Sequence, residues 1–136
     1  MAANLDAFIA ARRAVPFAYF EQDCGHIAAD WVLEKTGRDP LADLRVPADE
    51  PRSLLALMRR VRADGGMAAV ATERLGPPIP PLMAQRGDIV LVKSGRPIGR
   101  VSGFTFGICT GSNVVVPDSD GLVFWPVSTG VHAWRV

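Results

Sequence analysis

The apolar positions of this chain change period near its middle, from a spacing of three and four to a spacing of two. The first is the spacing of helices that bury one side, and the second is that of strands. Leu5, Phe8, Ile9 and Arg12 keep the helical spacing, and Pro16 closes that helix. A second helix opens at Cys24 behind the N-cap Asp23, and carries Ile27, Ala28, Trp31 and Val32 at i,i+4 spacing. Gly37 suits its C′ position, and Asp39-Pro40 prevents continuation. After a loop from Val46-Pro47 to Pro51, Ser53 caps a third helix with Leu54, Leu57, Met58 and Val61 on one face. Arg59, Arg60 and Arg62 lie towards its other side and read as a solvated face. Gly65-Gly66 breaks this helix, and Met67 to Arg74 form one more short helix.

The run Pro77-Pro78-Ile79-Pro80-Pro81 fits neither a helix nor a central strand, so it reads as an extended surface connector. Beyond it the strand period begins. Asp88 to Val92 and Phe104 to Cys109 are buried strands, and Gly111-Ser112-Asn113 turns the chain into Val114-Val115-Val116. Leu122 to Trp125 and Val131 to Val136 follow, separated by Asp118 to Gly121 and by Ser128-Thr129-Gly130. Short connections between successive strands predict an antiparallel meander. Gly95 to Gly103 holds three glycines between two strands and reads as a long hairpin loop, not a phosphate cradle. Helices first and strands second is the order of an α+β domain, with N-terminal helices packed on a C-terminal antiparallel β-sheet.

Composition sharpens this picture mainly by exclusion. A chain of 136 residues, 49% hydrophobic and 21% charged, predicts a single domain over 1–136 with a core of its own. A formal net charge of +1 offers no electrostatic case for nucleic acid or an anionic membrane as partner. No apolar run approaches the length of a membrane span. The start, Met1-Ala2-Ala3-Asn4-Leu5-Asp6, lacks a basic segment followed by an apolar one, so a secretory signal is not expected. The expected place of synthesis is therefore a reducing cytoplasm, and a disulfide between Cys24 and Cys109 is not expected. The two cysteines and two histidines have no metal-ligand spacing, so neither metal nor cofactor is expected.

The candidate chemistry lies at Gln22-Asp23-Cys24-Gly25. A cysteine in the first helical turn faces unpaired amides and the positive end of the helix dipole, which favour a thiolate nucleophile. Its other role would be as a small buried hydrophobe. Only His26 and His132 could accept its proton. His26 follows Cys24 at i+2, where side chains do not face each other, and is expected to be an exposed first-turn residue. His132 lies on the last strand with Trp134 on its own face, and is expected to be a partly buried strand residue. It is the default candidate base should Cys24 be a nucleophile. Cys109 is expected to be buried in its strand.

A capped Asp23-Cys24 helix, then Arg86-Gly87-Asp88-Ile89-Val90-Leu91, then Phe106-Gly107-Ile108-Cys109-Thr110-Gly111, resembles the NlpC-type cell-wall peptidases, compact papain-like cysteine hydrolases. The three pieces look like that family's nucleophile helix, its first sheet strand opening with Gly-Asp, and its second strand with the pattern His-Val-Gly-Ile-aromatic-x-Gly. More narrowly, Phe17 ahead of Asp23-Cys24, the Ala28-Ala29-Asp30 turn, Thr36-Gly37-Arg38-Asp39-Pro40 and the terminal Ala133-Trp134-Arg135-Val136 look like a family of small proteins from phage and prophage tail gene clusters. The resemblance implies an NlpC-type, papain-like fold placed in a tail tip or baseplate, with other tail tip and hub proteins as partners. It implies localisation in the virion tail.

In the resembled family the general base opens the second strand, two residues before Gly-Ile, and a third polar residue lies twelve further on. Those positions hold Thr105 and Pro117 here. Threonine does not take a thiol proton near neutral pH, and proline has no side-chain hydrogen-bonding group. Nucleophile and base act as a unit, so the expectation is a catalytically degenerate domain with a structural role. The Pro77 to Met83 connector, Phe124-Trp125-Pro126 and Trp134 are then the expected interface anchors, with at least one tryptophan expected to pack in the core instead. The alternatives are an active cysteine peptidase or amidase that cuts peptidoglycan stem peptides as the genome enters the cell, and a module that grips such peptides without cutting them.

Overall fold

The structure is a computed structural model that describes residues 3–47, 49–93 and 103–136. Four helices precede five strands, so the protein is α+β in the order its sequence predicts. Helix α1 (Leu5–Arg12) is capped by Asn4, whose side chain accepts the Ala7 amide, and it buries Leu5, Phe8 and Ile9. Helix α2 (Cys24–Thr36) runs from the Asp23 cap to Gly37, whose left-handed φ of 77° lets its N–H reach Leu33 O at 2.8 Å. Helix α3 (Leu54–Ala63) starts at the Ser53 cap, and α4 (Met67–Leu75) follows directly. The Gly95–Gly103 loop lies, apart from Gly103, outside the described residues.

Strands β1 (Ile89–Lys93), β2 (Phe104–Cys109), β3 (Asn113–Asp118), β4 (Gly121–Pro126) and β5 (Gly130–Trp134) form one antiparallel sheet in the order β4-β3-β2-β1-β5. The expected meander therefore holds for β1 to β4 and fails for β5. That strand skips its sequence neighbour and pairs with β1, setting Ile89 opposite Trp134 and Leu91 opposite His132. Only the short turn Val127–Thr129 joins β4 to β5. Four strand spacings in a flat sheet are about 19 Å, whereas the four Cα steps from Pro126 to Gly130 reach at most about 15 Å. A flat sheet is excluded, and this one must curl until its outer strands approach each other.

Curling buries both faces. Val90, Val92, Cys109, Val114, Val116 and Ala133 pack together inside the curl, against Val123, Trp125 and Val127. Ile89, Leu91, Ile108, Val115 and Trp134 face the other way, towards Phe8, Ile27, Trp31 and Val32 of α1 and α2. Gly107 lies on the inner face, where a Cβ would come within 2.7 Å of Val115 O and Val116 Cγ1. The inner layer is close enough there that only glycine fits.

Two indole hydrogen bonds lock the helices to the sheet. Trp31 Nε1 donates to Gly87 O at 2.8 Å, and Trp134 Nε1 donates to Thr72 Oγ1 at 3.2 Å. Trp134, expected to be an interface anchor, is instead fully buried, because β5 lies inside the fold beside β1. The proline-rich connector is extended at Pro80, and it does more than connect. Ile79 exchanges backbone hydrogen bonds with Ala133 at 2.7 and 3.1 Å, covering the free edge of β5, before Pro81–Met83 make a single 3-10 turn.

Candidate functional site

Asp23 organises the entry to α2. Its Oδ1 accepts both the His26 amide at 2.8 Å and His26 Nδ1 at 2.7 Å, and its Oδ2 accepts the Phe20 amide at 2.8 Å. Phe20 has a φ of 69°, the only positive value outside glycine among the described residues, and this hydrogen bond helps hold that turn. Burial pushes the Asp23 carboxyl upward in pKa, but the hydrogen bonds and charge of His26, with the two amides, outweigh it and hold the group below its ordinary value. Asp23 is thus an ionised cap whose lone pairs are already engaged.

Cys24 occupies the first position of α2. Among the described residues the adjoining part of β2 has no strand paired on one side, because β3 pairs with β2 at Ile108 and Cys109. Cys109 N donates to Asp88 O on the β1 side, so by strand alternation the Phe106 N–H points to the side that β3 leaves open. That amide meets the Cys24 sulfur. The thiol does not become the acidic nucleophile that a helix start predicts. Burial, reinforced by the Asp23 charge, pushes its pKa up to about 11, outweighing the amides of Phe106, Gly25 and Cys24 itself. Among the described residues no side chain hydrogen-bonds this thiol.

The two histidines exchange the places expected of them. His26 is not an exposed first-turn residue but is 3% exposed, with Phe20 edge-on at 5.9 Å. The pull of Asp23 on Nδ1 turns the ring inward. Its Nε2 is buried and has no partner among the described residues. His132, expected to be partly buried, is exposed beside the Trp134 ring at 6.1 Å, opposite Leu91 on β1. It does not line the cavity that holds Cys24. Thr105 and Pro117 are buried, and Thr105 borders the cavity. Cys109 is buried as expected; its sulfur lies 3.3 Å from Gly111 O, and burial raises its pKa. Both cysteines are free.

The cavity itself is the feature that sequence reasoning missed. It measures about 470 Å³ and lies between the start of α2, the strand residues Phe104, Thr105 and Phe106, and the apolar face of α3. Leu54, Leu57, Met58 and Val61 are legible as an apolar stripe, but none is buried and all four line this space. Leu41, Leu44 and Val70 complete the wall. Arg62, read as part of a solvated face, is exposed and also borders the cavity. The segment leading to Leu41 and Leu44 is held by ion pairs: Asp30 bridges Arg12 at 2.9 Å and Arg45 at 2.7 Å, and Arg45 also reaches Asp39 at 2.6 Å. The Ala28-Ala29-Asp30 turn and Asp39 thus take a structural part. Among the described residues no group of three His, Cys, Asp or Glu side chains could hold a metal, and no helix is long and apolar enough to cross a membrane.

The profile of one protein family, described as a domain of unknown function (DUF6950), matches residues 1–136. No curated protein matches the chain.

Proposed function

We propose that this chain, which belongs to the DUF6950 family, is an NlpC-type, papain-like domain that has lost its catalytic chemistry and serves as a structural part of a phage or phage-like tail tip or baseplate. The observation that carries the loss of chemistry is the Cys24 thiol, which sits at the start of the helix packed on β2 without a side-chain partner among the described residues. Thr105 and Pro117 stand where the resembled peptidases carry polar partners of the thiol. A thiol kept protonated is a poor nucleophile. The tail placement rests on the sequence resemblance. Surfaces suited to packing against other tail tip and hub proteins are Leu82 and Met83, 75% and 59% exposed, and Phe124 with Pro126. Particles purified from a producing strain should contain the chain in a constant ratio to the other tail proteins. Its absence from intact particles would overturn the tail assignment.

One observation favours a hydrolase instead: His26, oriented by Asp23 and with Nε2 unpartnered, borders the same cavity as Cys24. In that second reading His26, and not His132, takes the thiol proton before attack on a peptidoglycan amide. The pH dependence of Cys24 alkylation, measured with Cys109→Ala, separates the two. The structural reading expects slow reaction at pH 7 and a rise only as pH approaches about 11. Rapid alkylation at neutral pH that His26→Ala abolishes would establish the hydrolase.

A further inference from the structure

The cavity beside Cys24 has features of a ligand site that neither tail assembly nor peptide cleavage requires. At about 470 Å³ it falls within the size range of small-molecule sites. Its α3 wall, Leu54, Leu57, Met58 and Val61, is an apolar stripe that packs against α4 but is only half-buried, and all four residues line this space. Apolar surface left in this way is stabilised by any hydrocarbon that covers it.

Two polar groups say what such a hydrocarbon should carry. The first is His26 Nε2, on a side chain 4% exposed, with no partner among the described residues. Asp23 accepts from Nδ1, so Nε2 offers a lone pair when the ring is neutral and an N–H when it is protonated. A carboxyl group serves both states, since one shared proton completes the bond either way. A hydroxyl would serve Nε2 as well. The second group, Arg62, decides between them. This exposed residue borders the cavity, and its guanidinium makes no ion pair or hydrogen bond among the described residues. The carboxylate of Asp23 is already engaged by three donors, and the Cys24 thiol is neutral near pH 7. Asp23 keeps its negative charge but spends its lone pairs on these donors, whereas Arg62 is a cation at the cavity rim with no ion pair among the described residues, and it favours an anion there.

We infer that this cavity binds a monocarboxylate with an unbranched apolar chain, a fatty-acid-like molecule. The chain lies along α3, the carboxyl group meets His26 Nε2, and Arg62 supplies the complementary charge at the rim. The inference stands apart from the tail role and from catalysis, because it uses neither the exposed surface at Leu82 nor the Cys24 sulfur as nucleophile.

The test is a titration of the intact chain with cis-parinaric acid, a fatty acid whose fluorescence rises in apolar surroundings. Saturable binding at one site is expected, with displacement by dodecanoate. Methyl dodecanoate should displace the probe at least about tenfold less well, the worth of one charge-assisted hydrogen bond. Arg62→Gln should weaken binding by a similar factor. Leu57→Asp should abolish it, whereas Leu55→Asp, at a neighbouring position that is 58% exposed and outside the cavity, should not. Unfolding curves for each variant separate lost binding from lost fold. Absence of saturable binding to the folded wild-type chain would overturn the proposal. So would equal displacement by acid and ester, or equal effects of the Leu55 and Leu57 substitutions in folded proteins.

Discussion

At the scale of single residues, the site turns on a competition between a helix start and burial. A helix N-terminus favours the thiolate by a modest amount that fades within the first turn, whereas removing a thiolate from water works against it throughout. At Cys24 burial wins, and the neighbouring Asp23 charge adds to it. Asp23 shows the opposite balance, because its gains from His26 and Phe20 exceed the cost of burial. This gives a pH signature with a definite sign. A carboxyl whose folded pKa lies below its unfolded value of 3.8 contributes stability that is present above 3.8 and is lost as pH falls through the folded value. Asp23→Asn keeps the shape of the cap and removes the charge. In urea unfolding it should destabilise the protein near neutral pH by about 1–2 kcal/mol, the range for a capping and charge-assisted bond. That difference should shrink as pH falls below 3.8. A difference independent of pH would show that the charge plays no part.

At the scale of elements, the sequence marks where helices begin because capping is local. Asn4, Asp23 and Ser53 each accept an amide three residues on, and a side chain's reach sets that distance. Strand faces are equally legible: Val114, Val115 and Val116 alternate between the inner and outer layers. Closeness between layers is not local, and Gly107 shows the difference. Gly107→Ala would drive a methyl group against Val115 O and Val116 Cγ1. A loss of about 1–3 kcal/mol, typical of overpacking, is expected in thermal unfolding. No loss would mean that β3 can move outward, and that the curl is looser than these distances state. The α3 stripe carries the complementary lesson. Its residues announce an apolar face, but nothing in their spacing says whether the face meets another element or borders an open cavity.

At the scale of the whole molecule, closure of the sheet decides which surfaces remain for partners. Pairing β5 with β1 takes Trp134 out of contact with solvent, and the Ile79 bridge covers the remaining edge of β5. Exposed apolar area is then left at Leu82 and Met83, on the turn that follows this bridge. Leu82→Glu with Met83→Glu should leave the unfolding curve nearly unchanged, since surface substitutions rarely exceed about 0.5 kcal/mol. The same double variant should be depleted from assembled particles. Normal incorporation would move the interface elsewhere, with Phe124 and Pro126 as the next surface to change.

The sequence by itself determined the α+β order, the positions of the helix starts, the inward and outward residues of the strands, and the placing of Cys24 at a helix N-terminus. All of these depend on interactions between residues a few positions apart, and such interactions leave a period or a spacing in the chain. Only the tertiary structure decided that β5 pairs with β1, that His26 turns inward to Asp23 while His132 stays at the surface, and that the apolar face of α3 lines a cavity beside a thiol whose pKa is raised. The physical reason is that burial, and the pKa and hydrogen-bond demands that follow from it, are set by which distant segments close over a residue. Cys24 lies some eighty residues from the Phe106 amide that meets its sulfur, and no local pattern encodes that meeting.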